Sequence, residues 1–573
     1  MPGIDYSKRY RDYARFTPAI SEMYVRYVNA EKPKREPPIP REELNFFNPN
    51  SSLFYLPCSL YSAGQAAKST GIAERKDMVT GRDRGPTTVL GDSGGFQIQT
   101  GAIKFEGDKT RERMMRWMEA NCDWSMILDF PTGGIQIGNI DQHLKRLESP
   151  LDPEIVDSGN KAALDALMIK NGADVNDIQK RLFYACMLQT MINNDYFVQH
   201  RAPGATKFLN VVQGRDRHES KNWYENVKHY PFEGWSLASH HKENFEMSLG
   251  RILDMRDDNL LADRDWMHFL GVGKFQHGCV YTTIQRLVRE QVNPNFTISY
   301  DVSSPFTLAA YGKVFLGYNL NKSSWSIQGE KLDGRNFLPT NTYMGKINED
   351  DEHEVEMIGH EMLGTGKGRI KYLLDAQGNK IPLPTKGKDA DRPFLDVLEE
   401  MFHERLDSVE GSRFVRSQIG EQLKMGDICV NVDPKFTSTW DVVTYAMLMN
   451  HNVQVHLEGV YESQDLYDKS DPSLPCYDPE AKHQVPDQLR ELREVIKEAF
   501  QVENHYDFLN KNNSILTHLA SDNASRGTLV QVDFDMPDIK THNNVVKQKR
   551  DLDKSHSAEA KPALQVVNSG LFA

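Results

Sequence analysis

Six short apolar runs, each ending in a polar or glycine-rich corner, govern what this chain can fold into. TVLGDSGG carries Asp92, WSMILDF carries Asp129, and KFLNVVQG carries Gln213. GWSLAS ends on Ser239, WMHFLGVG ends on Gly271 to Gly273, and FTISYDVSS carries Asp301. Runs this short, rich in Val, Ile, Leu and aromatic residues, fit strands buried on both faces, as in parallel sheets. The corners recur at a near-constant interval: 37 residues from 92 to 129, 26 from 213 to 239, then 32 to 271 and 30 to 301. One strand, one helix and two loops take about that length. Only the step from 129 to 213 is longer, at 84 residues, and its charged amphipathic stretches predict a helical insertion at about 135–205. Helical patterns at 109–121 and 219–230 fall between corners. Repeated βα units of this size predict a (β/α)8 TIM-like barrel, with a doubly wound sheet as the alternative. In a barrel the polar corners acquire a purpose, because functional groups sit at the C-terminal ends of the strands.

The chain, at 573 residues, is longer than one barrel. Residues 1–50, with KPKREPPIPREE, read as an N-terminal arm. Residues 51–320 hold the barrel pattern. Residues 321–425 read as an inserted or appended α+β segment, with a hairpin around Ala376–Asn379 and a helix near 394–406. A patterned stretch at 436–465 and a helix at 489–503 make 426–505 a C-terminal helical region completing the barrel, and 506–573 a C-terminal extension with a polar, mobile tail. No apolar run approaches the ~20 residues that cross a bilayer, and the charged, aromatic start MPGIDYSKRYRDYARF is no signal peptide. Six cysteines without a CxxC give no disulfide framework. These features predict a cytoplasmic protein with no membrane partner. The balance of 68 basic against 81 acidic residues, a net charge of −13, excludes a uniformly basic coat and confines any nucleic-acid contact to a local groove.

Asp92 and Asp301 each close an expected strand. Two acids meeting in one pocket can do glycosyl chemistry: one attacks the sugar carbon while the other handles the leaving group's proton. Asp129 is a third acid, able to accept two N–H bonds from a purine edge, and Gln213 offers both a donor and an acceptor. The glycines after Ser93 let a ligand approach the main chain beside Asp92. Taken singly, an Asp at a strand end is more often a cap or turn former. GVGK at 271–274 lacks the full phosphate-loop pattern.

Together and in this order, DSGGFQ at 92–97, ILDFPT at 127–132, VVQG at 211–214, FEGWSLAS at 232–239, FLGVG at 269–273 and YDVSSP at 300–305 resemble the queuine/archaeosine tRNA-guanine transglycosylase superfamily. The likeness covers about residues 50–320, with a weaker echo near 440–465. It implies a (β/α)8 barrel that exchanges a guanine in a polynucleotide for a 7-deazaguanine, with neither a redox cofactor nor ATP. It also implies residue roles. Asp301 is the nucleophile at C1′, and Asp92 is the acid/base. Ser93 and Gly94 shape the pocket. Asp129 and Gln213 bind the base edge, and Phe96 and Leu270 lie on its two faces. Backbone groups near Ala238, Ser239 and Gly271 complete recognition. The target nucleotide must be single-stranded or flipped out of its stack.

Three departures narrow the resemblance. Thr307 and Ala310 stand where the tRNA enzymes carry two anticodon-reading arginines. Of the family's zinc cluster only Cys429 and His451 have counterparts, too few to close a tetrahedral site, so no metal is expected. Ala238 and Ser239, followed by His240 and His241, replace paired glycines. These departures point to the superfamily's DNA-modifying relatives, from phages and bacterial modification clusters. The expected function is therefore a DNA-guanine transglycosylase taking DNA and a free 7-deazaguanine such as preQ0, with the family's common habit of homodimerisation. Lys109, Arg111, Arg113, Arg116, Arg215, Arg217, Lys367, Arg369 and Lys371 are the candidates for phosphate contact. A tRNA-guanine transglycosylase and a non-catalytic nucleic-acid-binding subunit on the same barrel are the alternatives; two retained acids count against a pure binder.

Overall fold

All six apolar runs form parallel strands, and two more strands complete a ring. The computed structural model describes residues 3–10, 12–29, 35–99, 102–132, 158–332, 372–374, 380–382, 390–429 and 440–521. The ring consists of β1 Arg15–Phe16, β2 Cys58–Ser62, β3 Thr88–Asp92, β4 Trp124–Met126, β5 Lys207–Val212, β6 Gly234–Leu237, β7 Trp266–Phe269 and β8 Thr297–Tyr300. From β2 to β8 each strand pairs in parallel with the next. β8 pairs in parallel with β1, and a parallel bridge from Ala19 to Leu60 joins the β1 segment to β2. Strand order around the ring therefore follows chain order, the arrangement of a (β/α)8 barrel. The supposed arm thus contributes the first barrel strand. Two residues, one of them an arginine, are too short to show the period that betrays a strand.

The helices expected at 109–121 and 219–230 form as Asp108–Asn121 and Arg217–Val227, and two further helices between strands are Phe245–Asp257 and Phe275–Gln291. Between β4 and β5 lie helices Ser158–Lys170 and Ile178–His200; the part of the expected insertion at 133–157 is outside the described residues. Several starts are capped by side chains, with Asp177 accepting from Gln179 N and Lys180 N, Asp216 from Glu219 N, and Asn244 from Met247 N. Strand alternation sorts side chains between the lumen and the helical layer. Phe269 faces outward and stacks on Tyr281 of the helix Phe275–Gln291 at 3.9 Å. Trp266 packs tilted against Trp124 at 5.1 Å, with the Arg15 guanidinium 5.5 Å from its ring.

The chain divides into two compact units. The barrel unit comprises Lys8–Met23, Pro57–Ser304 and Ser463–Ala573, of which 522–573 lie outside the described residues. Its C-terminal part is tied down by Arg286, which bonds Asp12 and Asp468 at 2.5 and 2.7 Å, and by helix Asp487–Ala499, which buries Leu489, Leu492 and Ile496. The other unit comprises Met1–Ser7, Tyr24–Leu56 and Pro305–Glu462. It holds an antiparallel sheet of β9 Lys313–Leu320, β10 Trp325–Lys331 and β11 Ser412–Phe414, with β9 central, and helix Phe394–Asp407. The expected hairpin pairs Tyr372–Leu374 with Lys380–Pro382. The described residues of 24–56 are built in here and do not trail as an arm: Tyr24 donates to Leu44 O at 2.6 Å, and Arg35 grips Asp441 at 2.9 Å through two nitrogens.

His451, the residue resembling a zinc ligand, has both ring nitrogens engaged. Ser417 Oγ lies 2.6 Å from Nδ1 and Phe315 O lies 2.7 Å from Nε2. Burial holds its pKa down to about 4, so this is a neutral packing histidine. No group of three or more His, Cys, Asp or Glu able to hold a metal occurs among the described residues. No helix of the described residues is long and apolar enough to cross a membrane.

Candidate active site

The C-terminal ends of β3, β4, β5 and β8 bring four of the expected site residues together. Asp92 is the last residue of β3. Its Oδ1 accepts from Gly94 N at 3.4 Å, and Ser62 at the end of β2 donates to the same carboxyl. Burial pushes the Asp92 carboxyl above its ordinary range and the charge of Asp301 pushes the same way, against the pull of those two donors. Asp129, just after β4, is buried; desolvation first, and the charge of Asp92 next, raise its pKa to about 7.

Gln213 follows β5, and its amide orientation is fixed by chemistry. Thr132 N–H can only donate, so the atom it meets at 2.7 Å is Oε1, which Thr132 Oγ1 also meets at 2.9 Å. Nε2 then faces Asp129 Oδ2 and Phe130 O, the latter at 3.2 Å. Ser93 Oγ donates to Asp129 Oδ1 at 3.5 Å. Asp129 and Gln213 are therefore one unit whose donor and acceptor faces are set by the fold itself.

Asp301 follows β8 and is only 6% exposed. Its Oδ1 takes two donors, Gly271 N at 2.8 Å and His268 Nε2 at 3.2 Å. Gly271 adopts φ +72°, a left-handed conformation that turns its N–H toward the carboxylate and favours glycine. Asp301 Oδ2 makes no hydrogen bond among the described residues.

Phe96 and Leu270 are half-buried and follow β3 and β7. These strands stand four places apart in the eight-strand ring. After β6, Ala238 N donates within the sheet to Val212 O and Ala238 O is held by His241 Nδ1 at 2.7 Å. Both backbone groups of Ala238 are thus already used within the protein. Ser239 sits at φ +58°, a strained position for a serine, and its backbone N–H is not bonded among the described residues. His241 is fully buried between Ala238 O and Ser220 Oγ, and burial drives its pKa down to about 3. It shapes the loop and holds no ion.

No family model matches this chain, and no curated protein matches it either. The likeness to the transglycosylases therefore rests on the motifs and on where they lie.

The basic residues expected to meet phosphate are mostly committed elsewhere. Arg111 bonds Asp108 and Asn193, Arg113 bonds Ala67 O, and Arg116 bonds Glu112 and Glu119. Arg215 is clamped on Glu219, and Arg217 on Glu246. Lys109 is exposed; Lys367, Arg369 and Lys371 lie outside the described residues. A different cation feels the charge of Asp301. Lys242, five residues after β6, is 6% exposed. Burial lowers its ammonium pKa, while the charges of Glu243 and Asp301 support it. A lysine inside SHHKEN carries no motif that marks it.

Gly94→Ala tests how tightly the Asp92 corner is built. Gly94 lies at φ +86°, and an added Cβ would fall 2.6 Å from Gly64 Cα. The left-handed strain alone costs roughly 1–2 kcal/mol, and the backbone contact adds to it. A lower melting temperature is expected; an unchanged one would show that the corner yields freely.

Proposed function

We propose that this protein is a DNA-guanine transglycosylase, exchanging guanine in DNA for a free 7-deazaguanine such as preQ0. The observation that carries the reading is the unequal treatment of two acids in one barrel mouth. Asp301 is pinned through Oδ1 with Oδ2 left unengaged, and Asp92 sits in surroundings that favour its protonated form. The first arrangement suits a nucleophile and the second a general acid. In the first half-reaction Asp301 Oδ2 attacks C1′. The C1′–N9 bond breaks, its electron pair goes to guanine, and the Asp92 proton neutralises the departing base. In the second half Asp92, now ionised, removes a proton from the incoming base. Its nitrogen attacks C1′ and the pair of the C1′–Oδ2 bond returns to Asp301. The Asp129–Gln213 unit supports recognition of the guanine edge common to both bases.

DNA is favoured over tRNA by Thr307 and Ala310, which lie on the helix Ser304–Ala310 where the resemblance expects arginines. The protein is incubated with labelled guanine and, in separate reactions, with single-stranded DNA, duplex DNA and tRNA. Label in DNA is the expected result. Label in tRNA alone would move the reading to a tRNA enzyme, and label in none would favour a non-catalytic binding subunit. Homodimerisation, the family's habit, is read from the mass of the protein in solution.

A further inference from the structure

Below Asp301, a buried chain of hydrogen bonds runs down the inner faces of β7 and β8. Trp266 and His268 alternate on β7, and Ser299 and Asp301 alternate along β8, so all four side chains share one face. Register pairs Ser299 with His268 across the two strands. Trp266 Nε1 lies 2.7 Å from Ser299 Oγ, Ser299 Oγ lies 2.7 Å from His268 Nδ1, and His268 Nε2 lies 3.2 Å from Asp301 Oδ1. His268 and Ser299 are fully buried.

The direction of this chain follows from donor chemistry. A carboxylate oxygen only accepts, so His268 Nε2 carries the proton that faces Asp301 Oδ1; in the neutral ring Nδ1 then accepts from Ser299 Oγ–H, and Ser299 Oγ in turn accepts from Trp266 Nε1–H. We infer that His268 is a positioning residue for the nucleophile, locked by Ser299 and Trp266 into the tautomer that donates to Asp301 Oδ1. The inference rests on the transglycosylase reading for its chemical consequence, and on geometry alone for the tautomer.

The consequence is an asymmetry between the two half-reactions. With both donors on Oδ1, attack falls to Oδ2, and Oδ1 becomes the carbonyl oxygen of the glycosyl ester. When the incoming base displaces the ester, negative charge returns to the carboxylate, where His268 Nε2–H and Gly271 N–H stabilise it. Donors on a carboxylate make it a better leaving group and a weaker nucleophile. Removing the His268 donor therefore slows release of the sugar more than its capture.

The experiment uses the full-length protein, a guanine-containing single-stranded oligodeoxynucleotide and free guanine as the chase. His268→Leu is expected to accumulate the covalent adduct and to release it roughly 10- to 100-fold more slowly, the worth of one hydrogen bond to a charged group. His268→Gln, which can place an N–H near the same point, restores most of the release rate. Ser299→Ala, a small change that frees the tautomer, slows release by less than the Leu variant does. Histidine-selective 15N spectra of the wild type are expected to show the proton of His268 on Nε2. Release as fast in the Leu variant as in the wild type overturns the inference, as does a Gln variant as slow as Leu or a proton found on Nδ1. A wild type that forms no adduct overturns the transglycosylase reading instead, and the 15N spectrum then decides the hydrogen-bond chain by itself.

Discussion

Asp301→Asn is expected to leave the barrel folded and to abolish base exchange, with no covalent nucleic-acid adduct trapped at any time. The side-chain amide keeps an oxygen where Oδ1 stands, so Gly271 N–H and His268 Nε2–H retain an acceptor. What it loses is the anionic oxygen to which the proposed reaction assigns the attack on C1′. Removing a covalent nucleophile costs on the order of 10⁴-fold or more in turnover. Asp301→Ala is equally inactive for a second reason that thermal melting separates from the first. It strands two buried donors, at about 1–3 kcal/mol for each buried group left unsatisfied, so the Ala variant melts below the Asn variant. An adduct that survives in the Asn variant would remove Asp301 from the nucleophile's role. Equal melting of the two variants would mean that water replaces the lost acceptor.

Much of this site was readable before any coordinates, for a physical reason. A residue that ends a buried strand in a polar corner stands out against the apolar run before it, and the spacing of such corners reports the βα unit. Asp92, Asp129, Gln213 and Asp301 were found that way. His268, Ser299 and Trp266 were not, because they lie within strands, where His, Ser and Trp read as ordinary inner-face packing. Their chemistry exists only through the parallel register of β7 and β8, and register is a property of two strands at once. β1 was missed because two residues show no period. The arginines were misjudged in the opposite direction. A basic residue is conspicuous in sequence, but Glu112, Glu119, Glu219 and Glu246 engage these guanidiniums at distances that only the fold sets.

Asp129→Asn is expected to make the protein more stable and less able to bind its base, and both effects should depend on pH. The native carboxyl has a pKa of about 7 against an ordinary 3.8. Below 3.8 the group is protonated whether folded or unfolded. Between 3.8 and about 7 the unfolded chain has given up this proton while the folded protein still holds it. Folding stability therefore falls as pH rises across that window and is flat above it. The shift corresponds to roughly 4 kcal/mol, and an uncharged Asn avoids it. The Asn variant should thus melt well above the wild type at pH 8, with the gap closing toward pH 4. Base binding runs the other way. Guanine's edge donors need an ionised carboxylate, so wild-type affinity for free guanine should climb as pH rises toward 7 and level off above it. The Asn variant should bind roughly 100-fold more weakly, the worth of two hydrogen bonds to a charge reduced to neutral ones, and without that pH dependence. Melting curves that coincide at pH 8 would mean that the native carboxylate is accommodated without cost. A wild-type affinity that stays flat from pH 5 to 8 would remove Asp129 from the base edge. The same desolvation that weakens the fold is what reserves this carboxylate for a ligand able to bring its own donors.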